Sequence, residues 1–147
     1  MSGAKAFFDT NVLLYMYSTA DLGKQARAQE LFHECGDSGR IVVSTQVIQE
    51  FFVAGLRKLA LPLEQLRRAT SALLELPLVL LGPPHILRAI QDEEHYQISF
   101  WDALILAAAE SGGAEVLYTE DLNDGQQYGT VMVRNPFRSS ETSLSTN

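Results

Sequence analysis

The chain has 147 residues, 46% of them hydrophobic and 20% charged, and carries a net charge of −7. Length and balance fit one soluble globular domain large enough to bury a real core. The acidity argues against a non-specific nucleic-acid coat, which needs clustered Lys and Arg; it weakens a polyanion substrate without excluding it, since a bound metal would offset part of the charge.

Residues 4–8 predict a first strand, and the run Phe7-Phe8 before Asp9 is too brief for a signal peptide. Val12 to Tyr17 starts a helix, and a second runs from about Gly23 to Cys35, stopping near Gly36 and Gly39. Cys35 is the single cysteine, so it has no internal disulfide partner, which fits a reducing cytoplasm. His33, two residues away on the same helix, points elsewhere and makes a poor base for that thiol. Ile41-Val42-Val43 predicts a fully apolar strand. Ser44 or Thr45 then caps a helix carrying Val47, Ile48, Phe51, Phe52, Leu56 and Leu59. Pro62 suits the first turn of the next helix, with Leu63, Leu66, Leu73 and Leu74 on one face. The longest apolar stretch, Leu73 to Leu81, is broken by Glu75 and Pro77, so no membrane span is expected, and Leu78 to Leu81 reads as a third strand.

Pro83 and Pro84 open a helix over Ile86 to Tyr96, and Ser99 caps another that runs through Ala107-Ala108-Ala109 to Gly112-Gly113. Glu115–Tyr118 and Thr130–Val133 predict strands four and five. Continuous apolar strands separated by helices imply an α/β three-layer sandwich, with a mostly parallel sheet of about five strands flanked by helices. Residues 1–138 form the single domain in this reading, and the Ser/Thr-rich 139–147 a mobile tail.

Four acids sit beside apolar runs that otherwise exclude charge: Asp9, Glu50, Asp102 and Asp121. Carboxylates drawn together against buried surface repel one another, and a divalent cation makes the arrangement tolerable. In an open α/β sheet, ligands bind outside the carboxyl ends of the strands. Asp9 and Asp121 follow strands one and four onto that rim, whereas Glu50 and Asp102 must be swung towards it by their helices. Each acid also has a plainer role. Asp9 could cap the helix after it, and Asp102 could complete a capping box with Ser99. Asp121 could stabilise a turn, and Glu50 could ride a helix edge in water.

Other chemistries lack their residues. His33, His85 and His95 share no ligand spacing, and no G-x-G-x-x-G or Walker sequence exists. A receiver domain wants a paired acid after strand one and a phosphoacceptor Asp after strand three, but Leu81-Gly82-Pro83 stands there. A haloacid-type phosphatase needs a second Asp where Asp9-Thr10-Asn11 has Asn. Arg57-Lys58, Arg67-Arg68 and Lys24-Arg27 are the basic groupings, each with a solvated helix face as its plain reading.

The segment Phe7 to Tyr15, FDTNVLLY with a preceding Phe, resembles the opening motif of PIN-domain ribonucleases. Ser44–Phe51, Ser99–Ile105 and Leu117–Leu122 resemble the second, third and fourth motifs, and Asn135-Pro136-Phe137 also recurs there. The resemblance spans roughly residues 6–137, in the family's order, and among compact members is greatest to VapC-type toxins of toxin–antitoxin pairs. It implies a Mg²⁺- or Mn²⁺-dependent endoribonuclease in which Asp9, Glu50, Asp102 and Asp121 hold the metal. Thr10, Asn11 and Thr119 match supporting polar positions, and Asp124 is either a further supporting acid or a solvated loop residue. The implied partners are RNA, an antitoxin protein and a second copy of the chain. A non-catalytic RNA- or protein-binding module on the same fold is the alternative.

Overall fold

The computed structural model describes residues 3–138, and the expected C-terminal tail lies outside them. The chain alternates strands and helices: β1 (Ala6–Phe8), α1 (Thr10–Tyr15), α2 (Leu22–Asp37), β2 (Ile41–Ser44), α3 (Thr45–Arg57), α4 (Leu63–Leu73), β3 (Leu78–Val79), α5 (Pro83–Tyr96), α6 (Phe100–Ser111), β4 (Val116–Tyr118), β5 (Gln127–Tyr128) and β6 (Val131–Arg134). The sheet order is β3-β2-β1-β4-β6-β5, parallel throughout except for β5 against β6. The α/β reading therefore holds, with six strands rather than about five. The extra strand, Gln127–Tyr128, is two residues long on the sheet edge and has no apolar run to mark it.

Every residue of β1 and β2 is buried. Side chains alternate between faces along a strand, so both faces of the sheet centre are covered. Phe7, Phe8, Val43, Leu117, Val131 and Val133 are wholly enclosed, each contributing roughly 1.5–3 kcal/mol by leaving water. Phe8 meets Phe32 of α2 and Tyr118 of β4 at ring-centroid distances of 5.7 and 5.3 Å, tying a helix to the sheet. Helix α3 approaches α4 through Gly55, where a Cβ would stand 2.7 Å from a methyl of Leu66. A side chain there would force the buried Leu66 to shift.

Local signals place the element starts well, with small corrections. Ser44, not Thr45, caps α3, accepting from the Val47 N–H at 3.3 Å. Pro62 precedes α4 in an extended conformation instead of occupying its first turn. Helix α1 begins at Thr10, because the Asp9 side chain caps it by accepting from the Thr10 N–H. Among the described residues, no helix is long and apolar enough to cross a membrane.

Candidate active site

Strand order reverses at β1: the chain steps outward to β2 and β3, then returns to lay β4 on the other side of β1. Such a switch point opens a crevice at the carboxyl ends of its two strands. Asp9 leaves β1 there and Thr119 leaves β4. The Asp9 N–H donates to the Tyr118 carbonyl at 3.1 Å, and the Thr119 hydroxyl donates to Asp9 Oδ2 at 2.7 Å. The Thr10 N–H holds Asp9 Oδ1 at 2.7 Å. Asp9 is only 6% exposed, and both of its oxygens are fixed. Its capping role is thus real and coexists with its place at the rim.

The other three acids reach the same opening from different elements. Asp9, Glu50, Asp102 and Asp121 all line one cleft of about 570 Å³, together with Thr10, Asn11 and Gln46. Helix α3 carries Glu50 to it, where the Thr10 hydroxyl donates to Oε1 at 2.7 Å and Gln46 Nε2 approaches Oε2 at 3.4 Å. Helix α6 carries Asp102 in its first turn, where its N–H donates to Ser99 Oγ at 3.1 Å. The Asp121 N–H donates to Thr119 Oγ1 at 3.1 Å, so Thr119 links Asp121 to Asp9. Thr10 likewise links Asp9 to Glu50. Two threonines therefore stitch three of the acids together.

The electrostatics show the strain of this arrangement. Burial pushes the Asp9 carboxyl up to about 6, against the bonds from Thr119 and Thr10, and the charges of Asp121 and Asp102 push the same way. Asp102 is also raised, first by burial and then by Asp121 and Glu50, with Ser99 opposing. None of the four acids forms an ion pair among the described residues. The donors are all hard carboxylate oxygens, the set that suits Mg²⁺ or Mn²⁺ rather than a thiophilic ion. Among the described residues, no three His, Cys, Asp or Glu side chains stand close enough to share one ion directly. Mg²⁺ keeps several waters and takes only one or two carboxylates directly, so spaced acids around one cleft remain a fitting set.

Not every expected site residue takes part. Asn11 is exposed and lines the cleft, but Asp124 does not line it. Asp124 is exposed and accepts from the Asn135 N–H at 2.8 Å, clamping the loop before β5 to the end of β6. Gln46 was not singled out by sequence, although its place four residues before Glu50 on a helix puts both on one face. It is 7% exposed, and its Oε1 is a buried acceptor without a partner among the described residues. His85 bonds Ser111 through Nε2, but its Nδ1 accepts from the Gly82 N–H, so Nε2 carries the proton and cannot act as a base towards that serine.

Residues 6–124 match the PIN domain family, and the chain belongs to it. Solved structures with a similar fold include a toxin–antitoxin complex from Klebsiella pneumoniae, with 23% identity and a TM-score of 0.69, covering 90% of this chain and 98% of that one. The sarcin–ricin-loop-cleaving toxin VapC20 of Mycobacterium tuberculosis shares 18% identity at a TM-score of 0.64, covering 80% and 90%. A DNA-bound VapBC from Salmonella typhimurium shares 16% identity at 0.64, covering 90% and 98%. No curated protein sequence matches the chain significantly.

Proposed function

We propose that this PIN domain is a divalent-metal-dependent endoribonuclease and the toxin of a toxin–antitoxin pair. The observation that carries the reading is the convergence of Asp9, Glu50, Asp102 and Asp121 from four separate segments on one cleft, with no ion pair to any of them among the described residues. The similarity in fold to a toxin that cleaves the sarcin–ricin loop, and to toxin–antitoxin complexes, supports RNA as substrate and an antitoxin as partner. A second copy of the chain is the other partner this reading carries.

When bound, Mg²⁺ or Mn²⁺ supplies Lewis-acid polarisation of the phosphate and a water made acidic enough to attack it near neutral pH. The chain's own task is to hold the carboxylates ready. Thr119 and the Thr10 N–H fix both oxygens of Asp9, and the Thr10 hydroxyl orients Glu50. Asp102 and Asp121 complete the negative ring around the cleft. Attack by water would leave the ribose 2′-hydroxyl idle, and with the 3′ oxygen as leaving group the products would carry 5′-phosphate and 3′-hydroxyl ends.

The test is cleavage of single-stranded RNA by the purified chain with Mg²⁺ or Mn²⁺, followed by analysis of the ends. Cleavage is expected to stop on adding EDTA. Cleavage that persists in EDTA, or 2′,3′-cyclic phosphate ends, overturns the mechanism. Expression should arrest growth, and Asp9→Ala should relieve it. Equal toxicity of that variant would overturn the assignment of Asp9.

A further inference from the structure

Of the three basic groupings in the chain, the structure neutralises one and sets another apart. Lys24 pairs with Glu120, and Arg27 with Glu30. Arg67 and Arg68 lie beside Glu64 and Glu75 in a separate surface hollow. Arg57 and Lys58 are different. Both are exposed at the carboxyl end of α3, form no ion pair among the described residues, and line the cleft that holds the four acids.

Trp101 lines the same cleft, immediately before Asp102 on α6, and is 63% exposed. A large aromatic ring left open to water is the unusual observation, because its burial ordinarily contributes more than that of any other side chain. Leu14, Val53, Ala54 and Ile105 supply apolar lining. A smaller cavity of about 210 Å³ shares Asn11, Leu14 and Lys58 with the cleft and extends it past Tyr15 and Ser18. The groove thus continues beyond the acids along the side that carries Lys58.

We propose that this wall binds single-stranded RNA, with a base beside the scissile phosphate stacked on Trp101 and neighbouring phosphates held by Arg57 and Lys58. The inference rests on the RNA-hydrolysis reading above and names the residues that hold that substrate. Cations select phosphate even on an acidic protein when they are unpaired and local. An open indole takes any base through its π-face, and it reaches a base only where the strand is unpaired. A protein partner would fit the apolar lining and Trp101 and is an outcome of the test below; exposed cations lining the same cleft as the proposed hydrolytic acids favour RNA.

Trp101 is the only tryptophan of the chain, so its fluorescence reports on this wall directly. The experiment titrates a labelled single-stranded RNA octamer into a cleavage-dead Asp9→Asn variant in Mg²⁺, following label anisotropy and tryptophan emission together. The expected result is quenching that saturates with the anisotropy. Removing both cations, as Arg57→Ala with Lys58→Ala, should weaken binding roughly tenfold and flatten the log K against log salt slope by about 1.4. In the same background, Trp101→Ala should weaken binding by about five- to a hundredfold, while Trp101→Phe keeps most of it.

All four positions are exposed or on the cleft wall, and melting curves control for folding. RNA that binds with no change in emission and no loss in these variants, while wild type still cleaves RNA, overturns this proposal and spares the function. Wild type that neither cleaves nor binds RNA overturns both. Quenching by an amphipathic basic helical peptide, but not by RNA, overturns the proposal in favour of a protein occupant.

Discussion

Glu120 and Asp121 are consecutive residues that line different clefts. Glu120 faces the start of α2, where Lys24 pairs with it and the Tyr15 hydroxyl donates to it at 2.8 Å. The same Lys24 ammonium lies 4.9 Å from the Tyr15 ring centroid and 5.3 Å from that of Phe137. Glu120 and Glu30 of that cleft each have a cation, Lys24 and Arg27 each make a further contact, and Asp21 caps α2 by accepting from the Lys24 N–H. One residue later the chain enters the opposite regime. Asp121 joins Asp9, Glu50 and Asp102 with no ion pair among the described residues, and Asp9 is lifted to about 6 by its burial. The fold could pair its acids and does so within one residue of the site. In the function proposed above, the charge left unbalanced there suits a cation supplied from outside the chain.

The largest expected effect follows from removing the buried charge. Asp9→Asn should abolish metal-dependent RNA cleavage and, in EDTA, should stabilise the protein. The sign follows from linkage. The folded carboxyl at about 6 lies above its ordinary 3.8, so Asp9 favours folding below pH 4 and loses that contribution as pH rises through 6. The gap amounts to about 3 kcal/mol, an upper bound for a site that can relax. In EDTA, denaturant melts should show the variant more stable than wild type at pH 7.5 by up to that amount, and nearly equal at pH 3, below both values. A variant less stable at both pH values would break the contrast between the clefts.

Metal addition sharpens the same contrast. Saturating Mg²⁺ or Mn²⁺ should raise the wild-type melting temperature at pH 7.5, with about 2.7 kcal/mol expected at a hundred times Kd. The rise should shrink at pH 5, where Asp9 is protonated, and should vanish in Asp9→Asn. An equal rise in that variant would place the ion elsewhere.

A smaller loss is expected at the threonine that joins two acids. Thr119→Val removes the donor to Asp9 Oδ2 and the acceptor for the Asp121 N–H, leaving size almost unchanged. Losses of such supporting bonds typically cost 10–100-fold in metal affinity or activity. A metal titration of the cleavage rate should show the midpoint shifted upward. An unchanged midpoint would mean that Thr119 supports the fold alone.

These links also mark how far sequence could see. The apolar runs of β1, β2 and β4 and the caps Ser44 and Ser99 are local signals, and they placed the acids on their elements. The bond of Thr119 to Asp9 spans 110 positions and that of Thr10 to Glu50 spans 40, so only the fold reveals the first, and the second depends on where α3 points. Asp124 looks like a fifth acid in the sequence because it follows Asp121 closely, yet a single backbone bond to Asn135 keeps it on the loop. The unpaired state of Arg57 and Lys58 was equally invisible, since pairing is a property of neighbours across space. Edge strand β5 escaped because two residues leave no periodicity to detect.

The smallest effect tests the balanced cleft. Lys24 and Glu120 keep side-chain exposures of 31% and 22%, so water screens much of their attraction. A double-mutant cycle with Lys24→Ala and Glu120→Ala should give a coupling of about 1 kcal/mol or less, falling further in 1 M salt. Neither change should alter the metal midpoint of RNA cleavage, because Glu120 does not line the acid cleft. A Glu120→Ala variant that lost metal affinity would show that the two clefts are one electrostatic unit, with Lys24 then acting as a counterweight to the ion rather than as a structural partner.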